Sequence, residues 1–537
     1  MTTADPIHMV SGPGVAWSRV NLSEAMPGVL SPLGWTFWSD ATEASARRIF
    51  WRLGVLPRSG MTPPSRTDDR FIGVFFGRAA ANVDWIHHKV VRMPGANPEA
   101  FELQYFGSKR PGVDHRLVRS RYPVIAGKLP VAALGNPARL RNVRKAIDEW
   151  WRRSTGPASG PPHSPPDTLA DPRKLFADAY HRFTGVLTEH GMATMLTQAV
   201  YEQAAALATR AGHPGLETAV CAGWGPTEET RLVTDLWRAS RTGSGLEAVL
   251  ASHGYHGPDE GELSSHPWRE DPAPLAGMLA RYRQLDDSAS PEAATQRRAD
   301  ERRSAVATLL ASLPRSRRAQ ARLILRAVQT YVPQREVGKA AFLQTFDVAR
   351  AAARAYGTEL AKAGDLEDPE DIFYLTAMEL ITGLPDDAKA LIRDRRHKRE
   401  EYQSLDVPES WAGPAVAQAK TPPPAVPAGV SMIEGLGVSP GIAEGPARVI
   451  LGPDGIPDVE PGEILVCPTT DPSWAPAMLI AAALVIDVGG ALSHGAIVAR
   501  ELGVPCVINT GTGTTTVRTG DHLKVDGTSG RVEFTRL

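Results

Sequence analysis

Apolar and charged positions between residues 171 and 400 recur with a helical period, and Ala, Leu, Arg and Glu dominate that stretch. Residues 319–331 and 339–363 gather their apolar side chains at intervals of three and four, which predicts two amphipathic helices. Tyr331-Val332-Pro333-Gln334 separates them, since proline cannot donate into a continuing helix. Upstream the period shortens: Phe71-Ile72-Gly73-Val74-Phe75-Phe76, Phe101-Glu102-Leu103-Gln104-Tyr105-Phe106 and the apolar run 122–134 read as short β pieces. Near the other end, Leu484-Val485-Ile486 reads as a buried strand and Gly489-Gly490 as a tight turn. Residues 496–502 then read as a helix with Ser493 as its N-cap, closed by Gly503 and Pro505. Two stretches, 154–167 and 413–429, are too rich in Pro and Gly for regular structure. The first reads as a mobile loop. The second, with Thr421-Pro422-Pro423-Pro424, reads as a polyproline spacer whose 17 residues could reach on the order of 50 Å at ~3.1 Å per residue. The pattern therefore predicts an α+β chain. A large, mainly helical domain with a small β-containing N-terminal part (1–412) is followed by a linker (413–429) and a compact β/α domain (430–537). No internal repeat is visible.

Composition narrows the class without naming a function. Hydrophobic content of 42% with 22% charged residues gives ample material for more than one core. With 59 basic against 60 acidic residues and a formal net charge of −1, no global field favours nucleic acid or a membrane surface. The run Arg315-Ser316-Arg317-Arg318-Ala319-Gln320-Ala321-Arg322 reads as a solvated helix face. Cys221, Cys467 and Cys506 form no Cys-x-x-Cys pair, which argues against a disulfide framework or structural zinc and fits a reducing compartment. His87-His88 lacks a carboxylate at metal-ligand spacing, so no metal is expected from that pair. With no signal-like start and no apolar run of membrane-spanning length, the expected location is cytoplasmic.

The chemistry concentrates at His494, just inside a helix start, where unpaired backbone N–H groups favour an anion. That setting suits a histidine that carries a phosphoryl group. The segment Gly489-Gly490-Ala491-Leu492-Ser493-His494-Gly495-Ala496-Ile497-Val498-Ala499-Arg500-Glu501-Leu502-Gly503-Val504-Pro505 resembles the phosphohistidine swivelling domain of the phosphoenolpyruvate-utilising enzymes. The resemblance runs from Gly435 to Glu533. It includes Gly437-Val438-Ser439-Pro440-Gly441, Cys467-Pro468-Thr469-Thr470-Asp471-Pro472-Ser473-Trp474 and the closing pattern Val525-Asp526-Gly527. It implies that His494 is a covalent carrier oriented by Ser493 and its helix terminus, and that residues 413–429 let the domain swing between two sites.

The rest of the chain resembles the acceptor-binding part of the rifampin phosphotransferase family. Trp17-Ser18-Arg19-Val20-Asn21-Leu22, Arg335-Glu336, Pro369-Glu370-Asp371-Ile372-Phe373-Tyr374 with Glu379, and Gly254-Tyr255-His256-Gly257-Pro258-Asp259-Glu260 carry this resemblance. It implies that residues 1–412 hold an acceptor, that His256 or Glu260 serves as the acid–base group, and that Arg335 and Glu336 take part. Tyr255, Trp35 and Trp38 are candidate substrate contacts, the tryptophans alternatively packing in the core. One departure stands out: Tyr255 occupies the family's His position and His256 its Arg position. A permanent guanidinium cation is thereby exchanged for a group that titrates near neutrality.

The sequence shows no Walker loop or other glycine-rich phosphate segment, so no cofactor is expected in this chain, with ATP entering only through a partner. Two readings follow. In one, a separate ATP-grasp protein charges His494, which passes the phosphoryl group to a hydroxyl of a small molecule. In the other, His494 works without a donor as a general acid or base, eliminating water from a hydroxylated substrate in small-molecule biosynthesis.

Overall fold

The computed structural model describes residues 5–20, 22–23, 25–106, 109–155, 171–225, 227–243, 245–420, 431–490 and 493–535. Residues 156–167 of the expected loop and 421–429 of the expected spacer lie outside the described residues, as do Ala491 and Leu492. The fold is α+β, and the chain divides into two compact units. Unit 1 comprises Met1–Ala193, Gly261–Ser265 and Gly338–Thr421; unit 2 comprises Thr194–Glu260, His266–Val337 and Pro422–Leu537. One break of this division, between Thr421 and Pro422, falls within the expected linker; the others fall within 1–412, and elements between residues 232 and 282 share a core with the C-terminal sheet.

Unit 1 holds a four-stranded antiparallel sheet in the order Ile72–Phe75, Arg78–Asn82, Ala16–Ser18, Ser410–Ala412. Trp17, Phe75, Ala80 and Trp411 pack together on it. The β piece expected at 71–76 is present as Ile72–Phe75. The other two are helices. Pro98–Phe106 starts with a proline in the position where its missing N–H costs nothing. Tyr122–Thr155 buries Ile125, Ala132, Asn136 and Leu140, a stripe with helical spacing, while Val124, Val131 and Leu134 face solvent. Residues at the start of the expected spacer also fold back: Gln418–Ala419 pairs antiparallel with Leu405–Asp406.

Unit 2 is built on an eight-stranded sheet. Its order is Met432–Glu434, Arg531–Thr535, His522–Asp526, Ile442–Val449, Ile464–Cys467, Ala483–Ile486, Cys506–Ile508, Leu436–Ser439. The four strands from Ile442–Val449 to Cys506–Ile508 are mutually parallel. Their continuous apolar runs follow from burial on both faces. Ile464, Val466, Ala483, Val485 and Val507 point into one core with Leu523 and Val525. Leu465, Cys467, Leu484, Ile486, Cys506 and Ile508 point into another. That second core includes Leu232, Leu236 and Trp237 of the helix Glu228–Thr242 and Leu275, Met278 and Tyr282 of the helix Ala273–Tyr282. The helices expected around residues 319–331 and 339–363 are Arg318–Tyr331 and Gln334–Ala363. Among the described residues, no helix is long and apolar enough to cross a membrane.

Candidate functional site

His494 opens the helix His494–Leu502. Ser493 caps it in an extended conformation, its side chain accepting from the Ala496 N–H, and Gly503 closes it at φ 76°. Both ends match the reading of the sequence. The imidazole is 7% exposed. Its Nδ1 lies 3.4 Å from Thr470 Oγ1 and its Nε2 lies 3.6 Å from Glu229 Oε1. Thr470 reaches the ring because position 495 is glycine: a Cβ there would stand 2.8 Å from Thr470 Oγ1 and 2.6 Å from Ile486 Cδ1. The hydroxyl contact admits two proton arrangements. If Nδ1–H donates to Thr470, the Nε2 lone pair is a nucleophile; if Thr470 donates, the proton sits on Nε2 opposite Glu229.

Around this histidine unit 2 collects carboxylates. Thr227 caps the helix Glu228–Thr242, so Glu228 and Glu229 fall in its first turn, where negative charge is favoured. Both are buried. The Tyr255 hydroxyl donates to Glu228 Oε1 at 2.6 Å. His256 is fully buried, with Nδ1 2.5 Å from Glu260 Oε1. Burial alone would push the His256 imidazole down, but the charges of Glu260, Glu228 and Glu229 prevail and hold it above its ordinary range. Asp471 is buried and accepts from the Ser473 N–H at 2.8 Å and from its hydroxyl at 2.5 Å. Burial, with the charges of Glu260 and Asp259 adding to it, lifts the Asp471 carboxyl to about 7 despite those bonds from Ser473. A second cluster of donors is compatible with a metal ion: Glu228, His253 and His256.

The residues singled out from the sequence do not form one group. Tyr255, His256 and Glu260 sit in this carboxylate-rich region. Arg335 and Glu336 instead line an open cleft with Tyr201, Trp224, Thr227 and, from the His494 helix, Ile497, Arg500 and Glu501. Trp35 and Trp38 are core residues of unit 1, not cleft residues. Trp38 packs against Phe183, Phe342 and Phe346, and its indole N–H donates to the Gly261 carbonyl at 2.8 Å. A large ring in an apolar pattern signals burial before it signals a ligand. Sequence reading missed Thr470, Asp471, Glu228 and Glu229. The first two carried a signal, lying in the loop that precedes the histidine segment. Glu228-Glu229 looked like ordinary first-turn acids, and their role depends on what packs against that helix end.

Part of the chain is similar to known proteins. The chain is 34% identical over 300 residues to a rifampicin phosphotransferase of Streptomyces sviceus, a match covering 54% of this chain and 34% of that protein. A rifampicin phosphotransferase of Bacillus subtilis is 28% identical over 303 residues, covering 55% of this chain and 35% of its own length. An uncharacterized phosphotransferase of the same bacterium, YvkC, is 35% identical over 185 residues, covering 33% of this chain and 22% of its own length. The matches thus span about a third or less of these relatives. Residues 459–530 match the family described as PEP-utilising enzyme, mobile domain, and residues 171–336 match the rifampicin phosphotransferase fourth domain, so the chain carries both in one polypeptide.

Proposed function

We propose that this chain moves a phosphoryl group through His494 Nε2 to a hydroxyl of a small-molecule acceptor, after charging at a donor site outside these 537 residues. The observation that carries the reading is the pair of contacts on one imidazole. Thr470 can accept a hydrogen bond from Nδ1–H, which keeps the ring proton there and leaves Nε2 as the phosphoryl-bearing atom. Glu229 at Nε2 stands where an acceptor hydroxyl must lose its proton. In the transfer the P–N bond to His494 breaks, a P–O bond to the acceptor forms, and the hydroxyl proton passes to Glu229. A carboxylate beside Nε2 also disfavours a resident phosphoryl group, which suits discharge in this arrangement rather than charging. The cleft lined by Arg335, Trp224 and Tyr201 suits an acceptor with apolar and polar faces. The matched mobile and fourth domains support the same reading.

The test is intact-mass and phosphohistidine detection on the full chain incubated with ATP and candidate ATP-grasp proteins. Wild type is expected to gain a phosphoryl adduct that His494→Ala lacks. The carboxylate opposite Nε2 also favours a second reading, a donor-independent dehydratase in which His494 shuttles a proton. If no donor gives an adduct while His494 remains essential for turnover of a hydroxylated substrate, the phosphotransfer reading fails and the dehydratase reading replaces it.

A further inference from the structure

Helix Leu246–His253 ends at His253, and the following turn places His256 three residues on, both against the first turn of the helix Glu228–Thr242. One donor atom from each of Glu228, His253 and His256 can be chosen so that all three lie within 4.8 Å of one another, and all three residues are buried. Each imidazole has one nitrogen bonded to a carboxylate: His253 Nε2 is 2.9 Å from Asp235 Oδ2, and His256 Nδ1 is 2.5 Å from Glu260 Oε1. The opposite nitrogens, His253 Nδ1 and His256 Nε2, are buried without a hydrogen-bond partner. His253 is 4% exposed and His256 0%. One buried orphan nitrogen already costs stability; here two imidazoles that each carry one also each bring a ring nitrogen to within 4.8 Å of a Glu228 carboxylate oxygen, which makes a donor set.

We infer that Glu228, His253 and His256 bind a divalent transition-metal ion of the zinc type, through two imidazole nitrogens and one carboxylate oxygen with a further position open. Two nitrogens and one oxygen match that class, whereas calcium and magnesium take oxygen ligands. The backing is also of the right kind. Metal-ligating histidines donate their second N–H to a carboxylate or carbonyl, which fixes the tautomer and ring orientation. Asp235 and Glu260 are the carboxylates in that accepting place here, and Tyr255 donates to Glu228 in turn. His256 stands where the resembling family places Arg, so a bound cation would restore positive charge at a position that has lost a guanidinium. Glu229, the neighbour of Glu228, faces His494, and the ion would offset part of that negative charge. The inference holds whichever reaction His494 performs.

The experiment uses the full-length chain, stripped with a chelator and titrated with Zn²⁺ by calorimetry and with Co²⁺ by visible absorption. Wild type is expected to bind one tight equivalent, with a Co²⁺ d–d band and no thiolate charge-transfer band. His253→Asn and His256→Asn should each weaken this equivalent at least ~100-fold, whereas His522→Asn, at an exposed histidine, should leave it unchanged. Asp235→Asn changes only the group behind His253 and should weaken binding about 10–100-fold. Melting in chelator checks folding; should the histidine variants not fold, Asp235→Asn decides. Absence of a tight equivalent in wild type overturns the site. So does wild-type affinity in a folded His256→Asn, wild-type affinity in Asp235→Asn, or a thiolate band.

Discussion

Thr470 and Glu229 meet opposite nitrogens of His494, at 3.4 and 3.6 Å, so each can be removed separately. Thr470→Val keeps the shape and deletes the partner of Nδ1. Turnover is expected to drop about 10–100-fold with the melting temperature nearly unchanged, as for other groups that orient a reactive imidazole. Asp471 offers a pH test. Burial, then Glu260 and Asp259, raises it to about 7, so the folded state holds a proton that the unfolded chain releases near its ordinary value. Between those limits the native state binds more protons, and stability falls as pH rises through the window from about 4 to about 7. The total is on the order of 4 kcal/mol for a shift of that size. Asp471→Asn keeps an oxygen acceptor for Ser473 and cannot ionise. Its melting temperature should therefore exceed that of wild type at pH 8 and match it at pH 4; a wild-type slope in the variant would remove Asp471 from the account.

At the scale of elements, the helix His494–Leu502 is defined by its ends. Ser493→Ala removes the cap on the Ala496 N–H and should cost about 1 kcal/mol in chemical unfolding. Gly495→Ala is the sharper probe, because the added methyl would meet Ile486 Cδ1 at 2.6 Å and Thr470 Oγ1 at 2.8 Å. Overpacking of this kind costs roughly 1–3 kcal/mol. Since the second clash is with the group that holds His494, activity should fall further than stability. Helix ends of this type are readable from sequence because cap, glycine and proline act through their own backbone. The helices Pro98–Phe106 and Tyr122–Thr155 were not readable in that way. Phe101-Glu102-Leu103-Gln104 alternates like a strand and 122–134 is apolar throughout, so period alone could not choose, and tertiary packing did.

At the scale of the molecule, unit 2 sets one face of its sheet against its own closing strands and the other against helices drawn from residues 228–282. Leu236 is fully buried in that second core. Leu236→Ala should cost about 2–5 kcal/mol. Hydrogen exchange should show strands Ile464–Cys467 and Ala483–Ile486 losing protection together with the helix Glu228–Thr242, as expected of one cooperative core. Independent loss of protection would mean that the two sets of elements are separately stable. Polar ties join the same elements: Tyr282 donates to the Pro476 carbonyl at 3.1 Å, and Arg281 reaches Glu460 at 2.7 Å.

What the sequence determined by itself was local and covalently near: the strand before His494, the turn, the Ser493 cap, the helix and its Gly503 stop. Their signals lie within about twenty residues, and each acts through backbone geometry or hydrogen bonding of neighbours. The α+β class was legible for the same reason. What only the tertiary structure decided was which distant groups meet. Glu229 comes to His494 from 265 positions away, and Glu228 joins His253 and His256 through the packing of two helices. Trp38 went to a core although its type suited a pocket. Burial and charge at a site are sums over neighbours that the chain order does not place side by side, and those sums exist only once the cores have closed.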